Sequence, residues 1–423
     1  MGNSIIIKNS NTWIEGNAIQ QLERTATLPN MQRVVGMPDL HAGRGYPVGA
    51  AFFSVGRFYP ALIGNDIGCG MAFWQTDLPV HQSKKHKLAK QLGSIDAPLD
   101  DTWAERIAEL IPNCTYPQAG TTDGSERALI LQQKRQIQGE NASQVEHLTR
   151  IFNAEVGDFW CESKRDTSHL LSLGTIGGGN HFAELQAVDK IYAPEKLPEN
   201  FNRQCLQLLV HSGSRGLGQA ILREHVDKFS HAGLAENTPE ALDYLAKHAA
   251  ALQFAQANRQ LIAERMLAKW GADGAMLLDV HHNFLQQTQL DNETGWLHRK
   301  GATPADCGLV VIPGSRGDYS YWVQPIVDKS AHALFSLAHG AGRKWQRSEC
   351  KGRLSHKYSV DKLRQTDLGS VVICEDKALI YEEAPQAYKN IDEVIAAMLD
   401  FGLIELVARF KPVLTYKTAG ECC

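Results

Sequence analysis

The sequence predicts an α+β fold: a single large mixed body with a strand-rich catalytic core and helical insertions. Two observations predict it. Strand-like and helix-like blocks interleave irregularly, without the regular strand–helix alternation of a parallel α/β sheet. The polar motifs able to carry chemistry all fall in the strand-like blocks, and no Pro/Ser-rich linker or fixed-period repeat divides the chain. Residues 1–423 are therefore read as one domain, with helical insertions at about 83–160 and 239–270.

The elements follow in order. Residues 33–75 alternate β-branched and aromatic residues with Gly and Pro, which favours short strands and turns. From 83 to about 160, SKKHKLAKQLG and the Gln-, Lys- and Leu-rich run ending in GDFW carry helical spacing. Sheet-like text returns at 170–188 and 205–218, and a second helical block fills 239–270. Strands and turns resume over 275–325, with helix expected around 325–345 and again around 390–408.

Composition excludes several classes. With 43% hydrophobic and 21% charged residues the chain is globular rather than disordered or fibrous. Its 43 basic and 47 acidic residues give a net charge of -4, so no global charge draws it to nucleic acid or an anionic membrane, and any polyanion site is local. No apolar run approaches the roughly 18 residues of a spanning helix, and MGNSIIIKNSNTW has too short an apolar patch for a signal peptide. The expected location is the cytoplasm, with no membrane partner. Nine cysteines, scattered and odd in number, are neither a disulfide framework nor a zinc ribbon.

Five motifs share one style, a His, Cys or Asp beside glycines or an Asn: GNDIGCG (64–70), GTIGGGNHFAE (174–184), VHSGSRG (210–216), DVHHNF (279–284) and AHGAGR (338–343). Asp66, Cys69, His181, His211 and His282 offer carboxylate, thiolate and imidazole ligands, and a thiolate can bridge two metal ions. Each motif alone reads more simply as a tight turn, a core histidine or a buried cysteine. Their joint occurrence favours a site, but spacing leaves both readings open and names no substrate. AHGAGRKWQRSECKGR adds His339 ahead of Arg343, Lys344, Arg347, Lys351 and Arg353, a pattern suited to phosphate chemistry or to a solvated basic helix start. PGSRGDYSYW (313–322) supplies backbone and hydroxyl groups of the kind that hold a phosphate or a nucleobase, yet fits neither the P-loop nor the dinucleotide fingerprint.

In order along residues 35 to 417, MPDLHAGRGYPVGAAF, GNDIGCGM, LGTIGGGNHFAE, HSGSRG, HHN, RKGATPA, IPGS and AHGAGR resemble the RtcB-type RNA ligases. The resemblance implies a GTP-dependent enzyme that joins RNA 3′-phosphate or 2′,3′-cyclic phosphate ends to 5′-hydroxyl ends through a histidine–GMP intermediate, with two Mn²⁺ ions. It places the metal ligands on Asp66, Cys69, His181, His211 and His282, with Cys69 bridging, and GMP on His339. It places nucleotide contacts on Asn180, Glu184 (the guanine-reading acid), Ser315, Ser320, Tyr388 (stacking) and Lys417. Arg215, Arg343 and Arg347 would hold RNA phosphates. Where the family commonly shows PGSMG this chain has PGSRG, so Arg316 and Asp318 add charge beside the nucleotide, and Gln346-Arg347 replaces the family's Ser-Arg pair. These departures are similar to the branch associated with a release-factor-H-like protein, which implies that partner and a role in RNA repair. The alternative is a metal-dependent phosphodiesterase or phosphatase acting on RNA ends, which would use the same ligands without His339 as nucleophile.

Overall fold

Strands of alternating apolar residues bury both faces here, because a long helix covers one face of the large sheet and the sheet's own strands enclose a core on the other. The computed structural model describes residues 2–93, 95–111 and 167–418. The larger sheet has eight strands. Seven run in the order Val310–Pro313, Ser320–Pro325, Ile404–Thr418, Phe182–Ile191, Cys205–Ser212, Gly70–Pro79 and Gly274–His281, and Val371–Cys374 pairs in parallel with Ile404–Thr418. The smaller sheet has five, in the order Asn3–Ile6, Met31–His41, Val48–Ser54, Glu293–Lys300 and Asn283–Leu290. The fold is α+β, as expected.

Side chains alternate across the large sheet with the period of two that a pleated strand imposes. Ala72, Trp74, Ala183, Leu185, Leu208 and Val210 pack on one face, against Ile262, Met266 and Trp270 of a long helix. Phe73, Phe182 and Leu209 pack on the other, with Trp322 and Phe410. That helix, Pro239–Trp270, is the expected insertion. Thr238 caps it, accepting from the Ala241 N–H, Pro239 occupies its first turn, and Gly271 ends it in the left-handed conformation. A further core joins the two sheets: Val35, Met37 and Phe53 meet Ile312, Tyr321 and Val323 and the helix Ile391–Asp400.

Several expected boundaries shift. Of the 83–160 insertion, Lys85–Leu92 and Ala104–Leu110 are helical, and the part from 112 to 166 lies outside the described residues. The 170–188 block opens as a 3-10 turn and becomes strand only at Phe182. The 205–218 block leaves the sheet at Ser212, and the helix Gly216–Phe229 begins where VHSGSRG ends. The helix expected around 325–345 is one turn, Val327–Ser330, followed by a 3-10 turn and a strand, Ser336–Ala338. Ile404–Thr418 continues as a strand where helix was expected to run to 408, because its β-branched and aromatic residues join the sheet centre.

Candidate active site and metal centre

Strand register assembles the site. Gly70 pairs with Ser212 on one side and His281 on the other, and Phe182 pairs with His211. Four neighbouring strands thus end at one level, delivering Cys69, His211, His181 and His282 from positions far apart in sequence. The GNDIGCG turn is stitched to the His282 segment: Gly68 N–H donates to Asn283 O at 2.8 Å, His282 N–H to Cys69 O at 2.8 Å, and Asn283 Nδ2 to Asp66 O at 3.1 Å. Gly213 is required by close approach, since a Cβ there would lie 2.1 Å from Asp66 Oδ1.

The ligand atoms form two groups that share one residue. Cys69 Sγ is 3.4 Å from His181 Nε2 and 3.2 Å from His211 Nε2. His181 Nε2 is 2.7 Å from Asp66 Oδ2, and His211 Nε2 is 3.4 Å from His282 Nε2. Asp66, Cys69 and His181 make one group able to hold a metal ion, and Cys69, His211 and His282 the other. The residues fit a pair of cations. His181 gives its Nδ1–H to Ile176 O at 3.1 Å, which turns Nε2 toward a carboxylate and a sulfur. Asp66 Oδ1 and His282 Nδ1 are buried without a hydrogen-bond partner among the described residues. Burial and the neighbouring Asp66 charge push the Cys69 thiol well up, a cost that only a bound cation reverses. Burial, with the nearby His181 and His339 rings, holds His211 well below its ordinary value, so it stays neutral as a ligand must. For Asp66, burial pulls upward, but the His181 charge and hydrogen bond outweigh it and its carboxyl is lowered.

A cleft of ≈ 780 Å³ opens over both groups. Among the residues lining it are Asn180, Ser315, His339, Tyr388 and Lys417. His339 stands beside His282, ring centroids 4.8 Å apart. Its Nδ1–H donates to Asp39 Oδ2 at 2.6 Å, which leaves Nε2 as the ring nitrogen free to act. Asp39 is fully buried, and Lys389 Nζ donates to the carbonyls on either side of it, Pro38 O at 3.0 Å and Leu40 O at 2.7 Å.

The family described as tRNA-splicing ligase RtcB matches residues 21–418. An Escherichia coli RNA-splicing ligase RtcB2 is 51% identical over 415 residues, covering 98% of this chain and 95% of that protein. The chain belongs to the RtcB family of RNA ligases. The Mycobacterium tuberculosis RNA-splicing ligase RtcB is 30% identical over 93% of this chain and 99% of its own, and the Nanoarchaeum equitans tRNA-splicing ligase RtcB is 29% identical over 95% and 92%.

Not every expected residue of this RtcB-family chain reaches the cleft in the same way. Glu184 and Ser320 lie behind its wall, almost fully buried, and both are bonded to Gln186 Nε2, at 2.8 Å each. Glu184 also accepts from Thr415 Oγ1, and burial raises its carboxyl to about 7. Arg343 lines the cleft, but its guanidinium is committed to protein: Nη1 to Glu383 at 3.0 Å and to Tyr388 Oη at 3.1 Å, Nη2 to Glu382 O at 2.8 Å, Nε to Trp345 O at 3.1 Å. Its position is that of an organiser of the cleft wall. Arg215 and Arg347 line the cleft over the glycines of GGGN, with Arg347 half-exposed.

Sequence reasoning missed four residues. Asp39 sits in MPDLHAGRG, where an acid flanked by Pro and near a His was the available signal. Glu383 gathers Arg343, Arg347, Tyr388 and Lys417 around one carboxylate. Burial pushes that carboxylate up, but the charges of Lys417, Arg347 and Arg343 together outweigh it and hold it down to about 2. Arg259 and Asp279 form a buried pair beneath the metal groups, 2.5 Å apart, and Arg259 Nη1 donates to Gly68 O at 2.8 Å and Ser212 O at 3.0 Å. The hints were a cation on the apolar side of the 239–270 helix and the acid that opens DVHHNF.

Proposed function

We propose that this RNA ligase joins RNA 3′-phosphate or 2′,3′-cyclic phosphate ends to 5′-hydroxyl ends, using GTP and two Mn²⁺ ions, with His339 as the residue that takes GMP. The observation that carries the proposal is His339 itself: its Nδ1–H is fixed on Asp39 and its other nitrogen is left beside two ligand groups that share Cys69. Asp66, Cys69, His181, His211 and His282 are the residues that would hold the ions, which when bound would neutralise charge on the reacting phosphates.

His339 Nε2 attacks the α-phosphorus of GTP, a P–N bond forms and pyrophosphate leaves. The positive charge that develops on the ring is met through Nδ1–H by the Asp39 carboxylate. The 3′-phosphate oxygen then attacks the same phosphorus and regenerates free His339, which turns a poor electrophile into one with GMP as leaving group. The 5′-hydroxyl attacks the activated phosphorus, forms the phosphodiester and releases GMP. Asn180, Ser315, Tyr388 and Lys417 bind GTP along the cleft, with Glu184 and Ser320 in the wall behind. Arg215 and Arg347 hold RNA phosphates while Arg343 fixes Glu383 and Tyr388, giving salt-sensitive binding despite the acidic net charge. The cytoplasm, RNA repair and an associated release-factor-H-like protein complete the reading.

The test is covalent labelling by GTP carrying a labelled α-phosphate, with Mn²⁺. Label that survives alkali, is lost in acid and is absent from His339→Ala supports the proposal. A protein that binds metal and GTP but takes no label, and opens cyclic-phosphate RNA ends without joining them, is a hydrolase.

A further inference from the structure

Three buried arginines of the described residues are distinguished by what they hold. Arg259 has Asp279 at 2.5 Å and Arg299 has Asp306 at 3.8 Å. Arg316, only 4% exposed, has no ion pair among the described residues. Its Nη2 donates to Ile380 O at 2.7 Å and Leu363 O at 3.3 Å, while Nε and Nη1 have no partner among the described residues, against the single unmatched Nη1 of Arg299. Buried donors are almost always satisfied, so a buried cation with unmatched N–H groups calls for an acceptor that is not protein. Arg316 lines the same cleft as His339.

Its place in the cleft says which acceptor. Arg316 is anchored on Ile380 O, in the helix Lys377–Glu382 that leads into Glu383, and the Glu383 carboxylate accepts from Tyr388 Oη and pairs with Lys417. Arg316 therefore stands on the Tyr388 and Lys417 side of the cleft. The turn PGSRGD fixes it there: Asp318 N–H donates to Ser315 O at 3.0 Å, Gly314 N–H to Tyr319 O at 2.8 Å, and Gly317 takes φ +78 where a Cβ would strike Thr366 at 2.2 Å. The Gly317 N–H in turn bonds Glu184. An acid acceptor and a donor-only cation thus adjoin the same turn, the acid in the wall behind it.

We infer that Arg316 is a specificity-determining residue that donates from its unpaired guanidinium nitrogens to the O6/N7 edge of guanine. This rests on the guanylyl-transfer reading above. Guanine presents acceptors at O6 and N7 beside donors at N1 and N2, complementary to an arginine next to an acid. Adenine puts an amino donor where O6 stands, against a side chain that can only donate.

The experiment compares wild type and Arg316→Met with three labelled triphosphates: GTP, 6-thio-GTP, in which a poorly accepting sulfur replaces O6 while N1–H is kept, and 7-deaza-GTP, which lacks N7. Covalent labelling and equilibrium binding by calorimetry are both read. Wild type is expected to discriminate against at least one analogue by about ten- to hundredfold, the range of a charge-assisted hydrogen bond. Arg316→Met is expected to lose affinity for GTP by a similar factor and to treat the affected analogue and GTP alike, with thermal unfolding unchanged or raised. Arg316→Lys, which keeps charge but lacks the planar donors, stands in if the Met variant fails to fold, and is expected to lose most of the discrimination. Undiminished discrimination in the folded variant overturns the inference. Wild type that binds GTP without taking label sinks guanylyl transfer instead, and binding still decides Arg316.

Discussion

Asp39→Asn separates what the Asp39–His339 contact does for chemistry from what it does for the fold. The carboxylate is fully buried and accepts from His339 Nδ1 at 2.6 Å and from the His339 backbone N–H at 3.3 Å, all through Oδ2. Its other oxygen, Oδ1, has no partner. An asparagine that keeps its carbonyl at the Oδ2 position still accepts from Nδ1–H but no longer carries the charge that meets the imidazolium forming at His339. The difference between a charge-assisted and a neutral hydrogen bond is about 1–2 kcal/mol, and an amide rotated the other way turns its NH₂ toward Nδ1 and displaces the ring proton to the nitrogen that must attack. The expected fall in the single-turnover rate of GMP transfer to the protein is therefore about five- to thirtyfold, and larger if the amide rotates. Stability should move the other way or not at all, because the substitution removes a buried charge that is only half satisfied. Labelling by α-phosphate-labelled GTP in rapid quench, beside a urea unfolding curve, measures both. A variant that is labelled within threefold of the wild-type rate would refute the assignment of Asp39, and so would a loss of label explained by a fall in the unfolding midpoint.

The remaining predictions address the metal groups, their support and the acid behind them. Cys69→Ser should reduce bound Mn from two ions to one or none by elemental analysis, since a hydroxyl bridges poorly; unchanged content would remove Cys69 from the ligand set. Arg259→Leu leaves Asp279 buried and unpaired and frees Gly68 O and Ser212 O, so it should lower unfolding free energy by about 3–5 kcal/mol, and Arg259→Leu with Asp279→Leu should recover part of the loss. Glu383 is held down to about 2 from an ordinary 4.5, so it stabilises the fold above pH 4.5, and that contribution is lost as pH falls toward 2. The stability of Glu383→Gln should therefore be lower than wild type at neutral pH and should vary less between pH 4.5 and 2; parallel wild-type and variant curves would contradict the charge network.

The candidate metal ligands that the structure brings together were legible because glycine-flanked Cys, Asp and His residues are chemically distinctive wherever they occur. What the sequence could not supply was the register that brings them to one level. His211 and His181 are neighbours because Phe182 pairs with His211, 29 residues on, and Cys69 joins them because Gly70 pairs with Ser212, 142 residues on, relations that no local pattern encodes. The same limit explains the errors. The 325–345 stretch has helical composition, but Leu337 and Ala338 pair with Thr303 and Ala302 and are drawn into the core that joins the two sheets, so tertiary context overrides local preference. Glu383 gave no signal because its role comes from four partners spread between Arg343 and Lys417. Arg343 resembled a phosphate-binding arginine in sequence, and only its hydrogen bonds reveal that every nitrogen already has a protein acceptor.

That contrast between Arg343 and Arg316 is itself informative about how such a cleft is built. Both arginines line it, both are largely buried, and they stand near the same Glu383. Arg343 is fully satisfied, and burial is outweighed by its neighbours so that its charge is reinforced. Arg316 is not, and burial lowers it to about 10. A protein selected for stability alone would place a methyl-bearing side chain at 316, because each unmatched buried donor costs on the order of 1–3 kcal/mol. Asp66 Oδ1 and His282 Nδ1 repeat the pattern at the candidate metal groups of the same cleft. These buried polar atoms without partners among the described residues are the ones that the proposed cations and base would satisfy.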